Sequence, residues 1–146
     1  MLDSRNEKRF GFGHWVLFRS TRVLLVCSER CEGLEECLIH AGGVVTKVSN
    51  GDKAVKKIRR EIFDSVILVS TGRKMDLVET ILNLRDINPG TPIVVAIDPA
   101  RREPSETARR IILQAVPKVS MFTIAELKSR LDWVETEQHQ TKKTDE

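Results

Sequence analysis

The residues best placed for chemistry form a short polar loop between a buried apolar run and a helical pattern. The apolar run covers residues 65–69, and the loop after it contains two hydroxyl residues, a glycine and two cations: Ser70, Thr71, Gly72, Arg73 and Lys74. Hydroxyl groups, a flexible backbone and positive charge together are suited to binding an anion. We interpret the segment as a candidate anion-binding loop, with ordinary solvated cations as the alternative.

Three cysteines, Cys27, Cys31 and Cys37, are the other chemically interesting residues. Their spacings of three and five intervening residues do not match the usual zinc pattern, and their odd number is typical of reduced cytosolic thiols. Cys31 could lie near a helix start, where a thiolate is stabilised, but small apolar packing groups are the commoner case. We therefore expect no metal, no cofactor and no redox centre.

Enzyme motifs are not found in the sequence. It has no glycine-rich dinucleotide fingerprint, no P-loop and no nucleophile elbow, and none of its three histidines follows a predicted strand. We expect a protein that is not an enzyme.

The length and composition set further bounds. The 146 residues, 40 % of them apolar, fit one domain, and 24 basic residues nearly balance 21 acidic ones. Such a balance gives no reason to expect nucleic acid as a partner. The longest apolar stretch near the start is interrupted by Arg19 and Arg22, so we expect no membrane association and a cytoplasmic location.

The elements that position these residues alternate along the chain. Apolar runs predict strands, and 3.6-residue spacing between them predicts helices, which together indicate an α/β fold. The expected architecture is a (βα)5 doubly wound, five-stranded parallel sheet in three α/β/α layers. Predicted strands cover 23–27, 44–48, 65–69, 92–97 and 116–120; predicted helices cover 29–41, 52–63, 76–88, 105–115 and a last segment that begins with a capping box at Thr123 and Glu126. The helical spacing predicts that Ile62, Leu82 and Ile111 face inward.

The domain boundaries follow from the same pattern. The domain is expected to span residues 21–135, followed by a disordered polar tail over 136–146. Residues 1–20 form an N-terminal extension that is either disordered, an additional strand or a segment that binds a partner.

Four segments resemble motifs of the receiver domain of bacterial response regulators, which has a flavodoxin-like fold. Residues 49–54 are similar to the family's NGxxA motif, 63–68 to FDLVLL, 75–76 to MD and 88–95 to NPxxPVIV. The resemblance covers about three quarters of the chain. It implies the same fold that the alternating elements predict.

The family's chemistry depends on five positions at the carboxyl end of the sheet. An Asp accepts the phosphoryl group, two acidic residues hold a divalent cation, and a Thr or Ser and a Lys contact the phosphate. Aligned by the motifs, this chain has other residues at all of these positions: Val69, Cys27, Ser28, Ile97 and Ser120. The resemblance therefore implies a pseudo-receiver with a vacated phosphoacceptor pocket, and Val69 can equally be understood as a residue that extends the buried strand.

The resemblance also implies a function. We expect a stand-alone signalling module of a two-component-type phosphorelay pathway that acts by phosphorylation-independent protein–protein interaction. Its partner would be a kinase, a regulator, an output protein or a second copy in a homodimer. Receivers commonly bind through the fourth helix, fifth strand and fifth helix, and the candidate residues on that surface are Arg109, Arg110, Phe122 and Lys128. The alternative is a ligand-sensing domain that binds a phosphorylated metabolite or another anion at the loop 70–74.

Overall fold

The computed structural model describes residues 21–28, 31, 33–70, 77–98 and 105–131. Within these residues, five parallel strands form one sheet in the order β2-β1-β3-β4-β5. The strands are β1 Arg22–Val26, β2 Val44–Val48, β3 Ser65–Ser70, β4 Ile93–Ile97 and β5 Val119–Thr123. The predicted α/β fold with a five-stranded parallel sheet is confirmed.

Helices cover both faces of this sheet. They are α1 Leu34–His40, α2 Gly51–Arg60, α3 Leu77–Ile87, α4 Glu106–Ala115 and α5 over residues 124–131. One apolar cluster joins the sheet to α1 and α5, and a second joins the opposite face to α2, α3 and α4. No helix in the described part of the chain has the length and apolar character needed to cross a membrane.

The central strand β3 explains the apolar run that dominates the sequence. All six of its residues are buried, and it pairs with β1 on one side and β4 on the other. A strand of a parallel sheet that is covered on both faces has no solvent side, so its sequence shows no alternation. The register places Val69 opposite Ala96 and Ser70 opposite Ile97, at the carboxyl end of the sheet.

Side chains cap three of the helices. The Asn50 side chain accepts a hydrogen bond from the Lys53 amide at 2.9 Å, and Ser105 accepts one from the Ala108 amide at 3.1 Å. Thr123 and Glu126 bond reciprocally at 2.9 and 3.1 Å, which confirms the predicted capping box. The hydrogen bond from the Thr123 amide lowers the pKa of Glu126, because it stabilises the carboxylate.

A buried arginine connects the opposite, amino-terminal end of the sheet. The Arg85 guanidinium donates to the carbonyl groups of Pro89 at 3.0 Å, Thr91 at 2.5 Å and Lys118 at 3.0 Å. Burial lowers the pKa of Arg85, since desolvation penalises the cation. One side chain of α3 thereby holds the turn before β4 and the turn before β5 in place.

Helices α2 and α3 approach closely at a glycine. A Cβ atom on Gly51 would overlap Thr80 Oγ1 and lie 3.2 Å from Thr80 Cγ2. Thr80 is buried on α3, so the glycine is required by the spacing of the two helices.

Several predicted details are wrong. Ile62 is 80 % exposed because α2 ends at Arg60 and Glu61 is extended, so the helical spacing does not continue to residue 62. Leu82 and Ile111 are 50 % and 49 % exposed, each one helical position away from a fully buried isoleucine. Strand β5 begins at Val119 rather than Val116, because Val116 is the buried C-cap of α4 and Lys118 has a left-handed φ of 58° in the turn.

The predictions for residues 1–20 and 136–146 lie outside the described residues, and the boundaries at 21 and 135 stay predictions.

Candidate functional site

The candidate site lies at the carboxyl end of the sheet, where β1, β3, β4 and β5 end side by side. In parallel α/β sheets this edge is where ligands bind. At this edge Val69 is the fifth residue of β3, has no solvent exposure and packs in the cluster beneath α1 and α5. A valine side chain carries no lone pair and no ionisable proton, so it can neither accept a phosphoryl group nor bind a cation.

Two cysteines occupy the region after β1. Cys27 is 2 % exposed, and its amide donates to the Val48 carbonyl at 3.0 Å, which fixes it beside β2. Cys31 is 6 % exposed, and its carbonyl accepts from the Leu34 amide at 2.8 Å, which fixes it at the start of α1. Ser28 follows Cys27 and is partly exposed.

The two thiols interact with each other. Burial raises the pKa of Cys31 to about 12, and a hydrogen bond with Cys27 adds to the shift. The charge that Cys31 would carry as a thiolate raises the pKa of the nearby Lys47 ammonium, whose nitrogen lies 3.8 Å from Glu35 Oε1. The residue spacing alone did not predict this interaction between Cys27 and Cys31 across the β1–α1 connection.

The position assigned to Ser120 needs correction. Ser120 pairs with Val94, in the interior of the sheet, whereas the residue opposite Ile97 is Thr123. Because β5 begins three residues later than predicted, Ser120 is the second residue of the strand and not its last. Thr123, whose hydroxyl is engaged in the α5 capping box, therefore lies at the carboxyl edge in place of Ser120.

The candidate anion-binding loop is only partly described. Ser70 is buried at the end of β3, whereas Thr71, Gly72, Arg73 and Lys74 lie outside the described residues. Among the residues that are described, no three His, Cys, Asp or Glu side chains converge as a metal site would require. The anion-binding hypothesis stays a prediction from the sequence.

Comparison with known proteins by sequence finds no matching family model and no matching curated protein. Comparison by structure finds proteins with the same fold. A CheY-like response regulator receiver domain from Methanospirillum hungatei superposes with a TM-score of 0.62 at 19 % identity, covering 81 % of this chain and 98 % of that one. The signal receiver domain of an HD domain-containing protein from Pseudomonas fluorescens gives 0.63 at 16 % identity, covering 88 % and 96 %.

The chain has the receiver-domain fold. A third neighbour is the receiver domain of a sensor histidine kinase from Pseudomonas aeruginosa, with a TM-score of 0.60 at 22 % identity over 80 % of this chain and 98 % of that one. That structure holds a magnesium ion in its active-site cleft.

On this receiver fold, the predicted interaction residues lie in different environments. Arg110 is exposed on α4, with its Nε 3.9 Å from Glu106 Oε1, whereas Arg109 is only partly exposed. The Phe122 ring on β5 lies beneath the guanidinium of Arg130 at 4.8 Å. Lys128 Nζ lies 3.5 Å from where a Cβ on Gly33 would be, so this side chain reaches toward the start of α1.

Helix α4 of the receiver fold also exposes apolar surface that the sequence reasoning missed. Ile112 is its one residue that is buried, whereas Ile111 is 49 % and Leu113 is 53 % exposed. Successive helical residues are about 100° apart, so three consecutive apolar residues cannot all face the sheet. The run Ile111-Ile112-Leu113 was therefore the available sequence signal for an exposed apolar site.

The basic helix α2 is mostly solvated. Lys57 pairs with Glu61 at 3.0 Å, and Arg22 pairs with the same carboxylate at 2.6 Å. Hydrogen bonds from Lys57, which has the larger effect, and from Arg22 lower the pKa of Glu61 because they stabilise its carboxylate. The other cations of the helix are exposed: Lys53, Lys56, Arg59 and Arg60.

Proposed function

We propose that this protein is a receiver-like signalling module that acts by phosphorylation-independent protein–protein interaction in a two-component-type pathway. The observation that carries the proposal is the complete burial of Val69 at the end of β3. We further propose that it has no catalytic activity of its own and works in the cytoplasm.

The pocket supports the proposal that the protein acts without phosphorylation. Phosphoryl transfer to a receiver needs a nucleophilic carboxylate and a cation to neutralise the phosphate charge. The resemblance aligns Val69 with the carboxylate, and the described residues after β1 offer thiol and hydroxyl groups. Thiols and hydroxyls are poor ligands for magnesium, which prefers carboxylate oxygens.

The surface of α4 supports the proposal that the protein acts by binding another protein molecule. Ile111 and Leu113 are each about half exposed on α4, about 200° apart around the helix axis, so they flank the buried Ile112 on opposite sides of the helix. Exposed apolar groups beside charged ones are found at binding surfaces. Arg110 and the Arg130–Phe122 pair supply polar and aromatic groups on the neighbouring elements. Because the occupant could be another protein or a second copy, the test distinguishes these two.

The first experiment tests the pocket. The protein is incubated with acetyl phosphate and magnesium, and its intact mass is compared with that of a receiver domain that has the acceptor Asp, treated in parallel. We expect the control to gain one phosphoryl group and this protein to gain none. A stoichiometric acid-labile adduct on this protein would refute the proposal.

The second experiment tests the surface. Ile111→Glu and Leu113→Glu are compared with Leu82→Glu, a control of matched exposure on α3. We expect the α4 variants to weaken binding at least about tenfold, since a charge in an apolar contact costs more than 1.4 kcal/mol. Sedimentation measures self-association, and titration with the protein that copurifies from native cells measures hetero-association. Equal effects from Leu82→Glu would refute the assignment to α4.

A further inference from the structure

Helix α2 carries a set of cations on its outer side. We call this set the cationic face, and it consists of Lys53, Lys56, Arg59 and Arg60. All of these side chains are exposed, and the helical spacing of about 100° per residue places them within about 120° around the helix axis. The opposite side of the helix is used for packing, because Ala54 and Ile58 are buried in the apolar cluster beneath α2. With a rise of about 1.5 Å per residue, the cationic face is about 10 Å long.

The charges of the cationic face are not neutralised within the described part of the chain. The remaining cation of the helix, Lys57, donates a hydrogen bond to Glu61 at 3.0 Å, and the same carboxylate accepts one from Arg22 at 2.6 Å. No described carboxylate forms an ion pair with a side chain of the cationic face. A partner can therefore supply carboxylates here without breaking an ion pair of the fold.

Ile62 adds an apolar group just beyond the end of this helix. Its side chain is 80 % exposed, and its Cα atom lies no more than about 7 Å from that of Arg60. The backbone around it is fixed, since the Ile62 carbonyl accepts a hydrogen bond from Arg22 Nη1 at 2.9 Å. The next residue, Phe63, is buried, and the Arg22 guanidinium lies 4.9 Å from the centre of its ring. A partner that covers Ile62 therefore does not have to order this segment first.

The surroundings favour an acidic protein segment over nucleic acid or an anionic membrane. Asp52 on α2 and both Glu79 and Asp86 on the neighbouring α3 are exposed, so the positive charge is confined to a short strip. A nucleic acid or a membrane surface extends beyond that strip and would meet these carboxylates. Phe63 is buried and offers no ring on which a base could stack. An exposed aliphatic side chain such as Ile62 is instead suited to an apolar contact with another protein.

We propose that the cationic face of α2 and Ile62 form a docking surface for an acidic segment of another protein. Carboxylates of that segment lie along α2, and an apolar side chain next to them covers Ile62. The inference goes beyond the proposed function, because it adds a second surface and states the chemistry of its partner. It does not depend on whether α4 binds a partner.

The experiment uses the full chain and a fluorescein-labelled synthetic peptide. The peptide carries glutamates at the helical spacing of the cationic face, followed by two leucines, and a second peptide has glutamine in place of each glutamate. Fluorescence anisotropy measures the dissociation constants. We expect the glutamate peptide to bind at least about tenfold more tightly than the glutamine peptide, and this difference should shrink as salt is added, because the charges are exposed.

Variants of exposed residues locate the binding site. Arg60→Glu should weaken binding of the glutamate peptide at least about fivefold, because attraction becomes repulsion, and Ile62→Ser should weaken it at least about threefold. Arg110→Glu is the matched control, since it makes the same change in net charge at an exposed position on α4. It should change the dissociation constant by less than about twofold. Circular dichroism confirms that each variant is folded.

Several results would overturn the proposal. Equal binding of the two peptides, no binding of either, or an equal loss with Arg60→Glu and Arg110→Glu would show that the cationic face does not select carboxylates. Tighter binding of a DNA duplex or of vesicles containing phosphatidylserine, lost with Arg60→Glu, would assign the face to nucleic acid or to a membrane. Conversion of a dimer to a monomer by Arg60→Glu in sedimentation would assign it to a second copy. The phosphorylation test and the α4 variants involve none of these residues, so their outcomes are separate.

Discussion

Replacement of Arg85 by methionine should destabilise the protein by about 3 kcal/mol. The methionine retains most of the apolar stem but removes four hydrogen bonds that the guanidinium donates to carbonyl groups: a long one to Asn88 at 3.5 Å and three of 3.0 Å or less. The Lys118 carbonyl keeps the bond that it accepts from the Ile93 amide at 3.0 Å. The carbonyls of Pro89 and Thr91 lose their bonds from Arg85, at a cost of about 1–3 kcal/mol each.

Two opposing effects act on the sum for the two carbonyls, which is about 2–6 kcal/mol, and the expected value lies in the lower half of that range. Bonds from a charged donor are stronger than neutral ones, which raises the cost. Removal of a buried cation relieves its desolvation penalty, which lowers it. Arg85→Lys should cost less than Arg85→Met, because an ammonium can still reach some of the carbonyls but lacks the planar geometry that contacts all of them.

Urea denaturation followed by circular dichroism measures the free energy of unfolding. Arg59→Met is the matched control, since Arg59 is exposed on α2, and it should change stability by less than about 0.5 kcal/mol. If Arg85→Met and Arg59→Met gave the same small change, the interpretation of Arg85 as a connector of two turns would be wrong.

Three further predictions follow from the packing and the buried thiol. Gly51→Ala should cost about 1–3 kcal/mol in thermal or urea unfolding because its Cβ overlaps Thr80, and the double variant with Thr80→Ala should lose less than the sum of the single variants; additive losses would contradict this. Val69→Asp should cost about 3 kcal/mol or more at pH 7 and less at pH 4, where the buried carboxyl is neutral; equal costs at both pH values would contradict burial. The pKa of Cys31 rises from 9.0 to about 12 on folding, so the native state binds more protons than the unfolded state above pH 9. The free energy of unfolding should therefore fall above pH 9 by up to about 1.4 kcal/mol per pH unit. In the measured pH profile, Cys31→Ala should flatten that fall.

The sequence predicted the parts of the fold that depend on full burial. Strands β1, β3 and β4 are continuous apolar runs because both faces of the sheet are covered, and their bounds were predicted to within one residue. The start of β5 was missed because this edge strand is only partly buried along its length, so its apolar residues do not stand out from Val116 before it.

The contacts of the site were harder to predict. A helical period places residues on a face but does not resolve which of two adjacent apolar residues points inward, as at Ile111 and Ile112. Arg85 was indistinguishable from a surface cation, because its partners are backbone carbonyl groups, which every residue type has, and one of them, at Lys118, is 33 residues away. The contact between Cys27 and Cys31 depends on where β1 ends and α1 begins, which residue spacing alone does not define.

The apolar side chain of Val69 affects how long a signalling state can last. A receiver that carries a covalent mark keeps its state until that mark is hydrolysed, so a chemical rate sets how long the state lasts. If Val69 excludes such a mark, as we propose, the lifetime of the bound state is the dissociation time of the complex, and occupancy follows the concentrations of the protein and its partner. The duration of the response would then be set by how tightly the surface of α4 holds its partner.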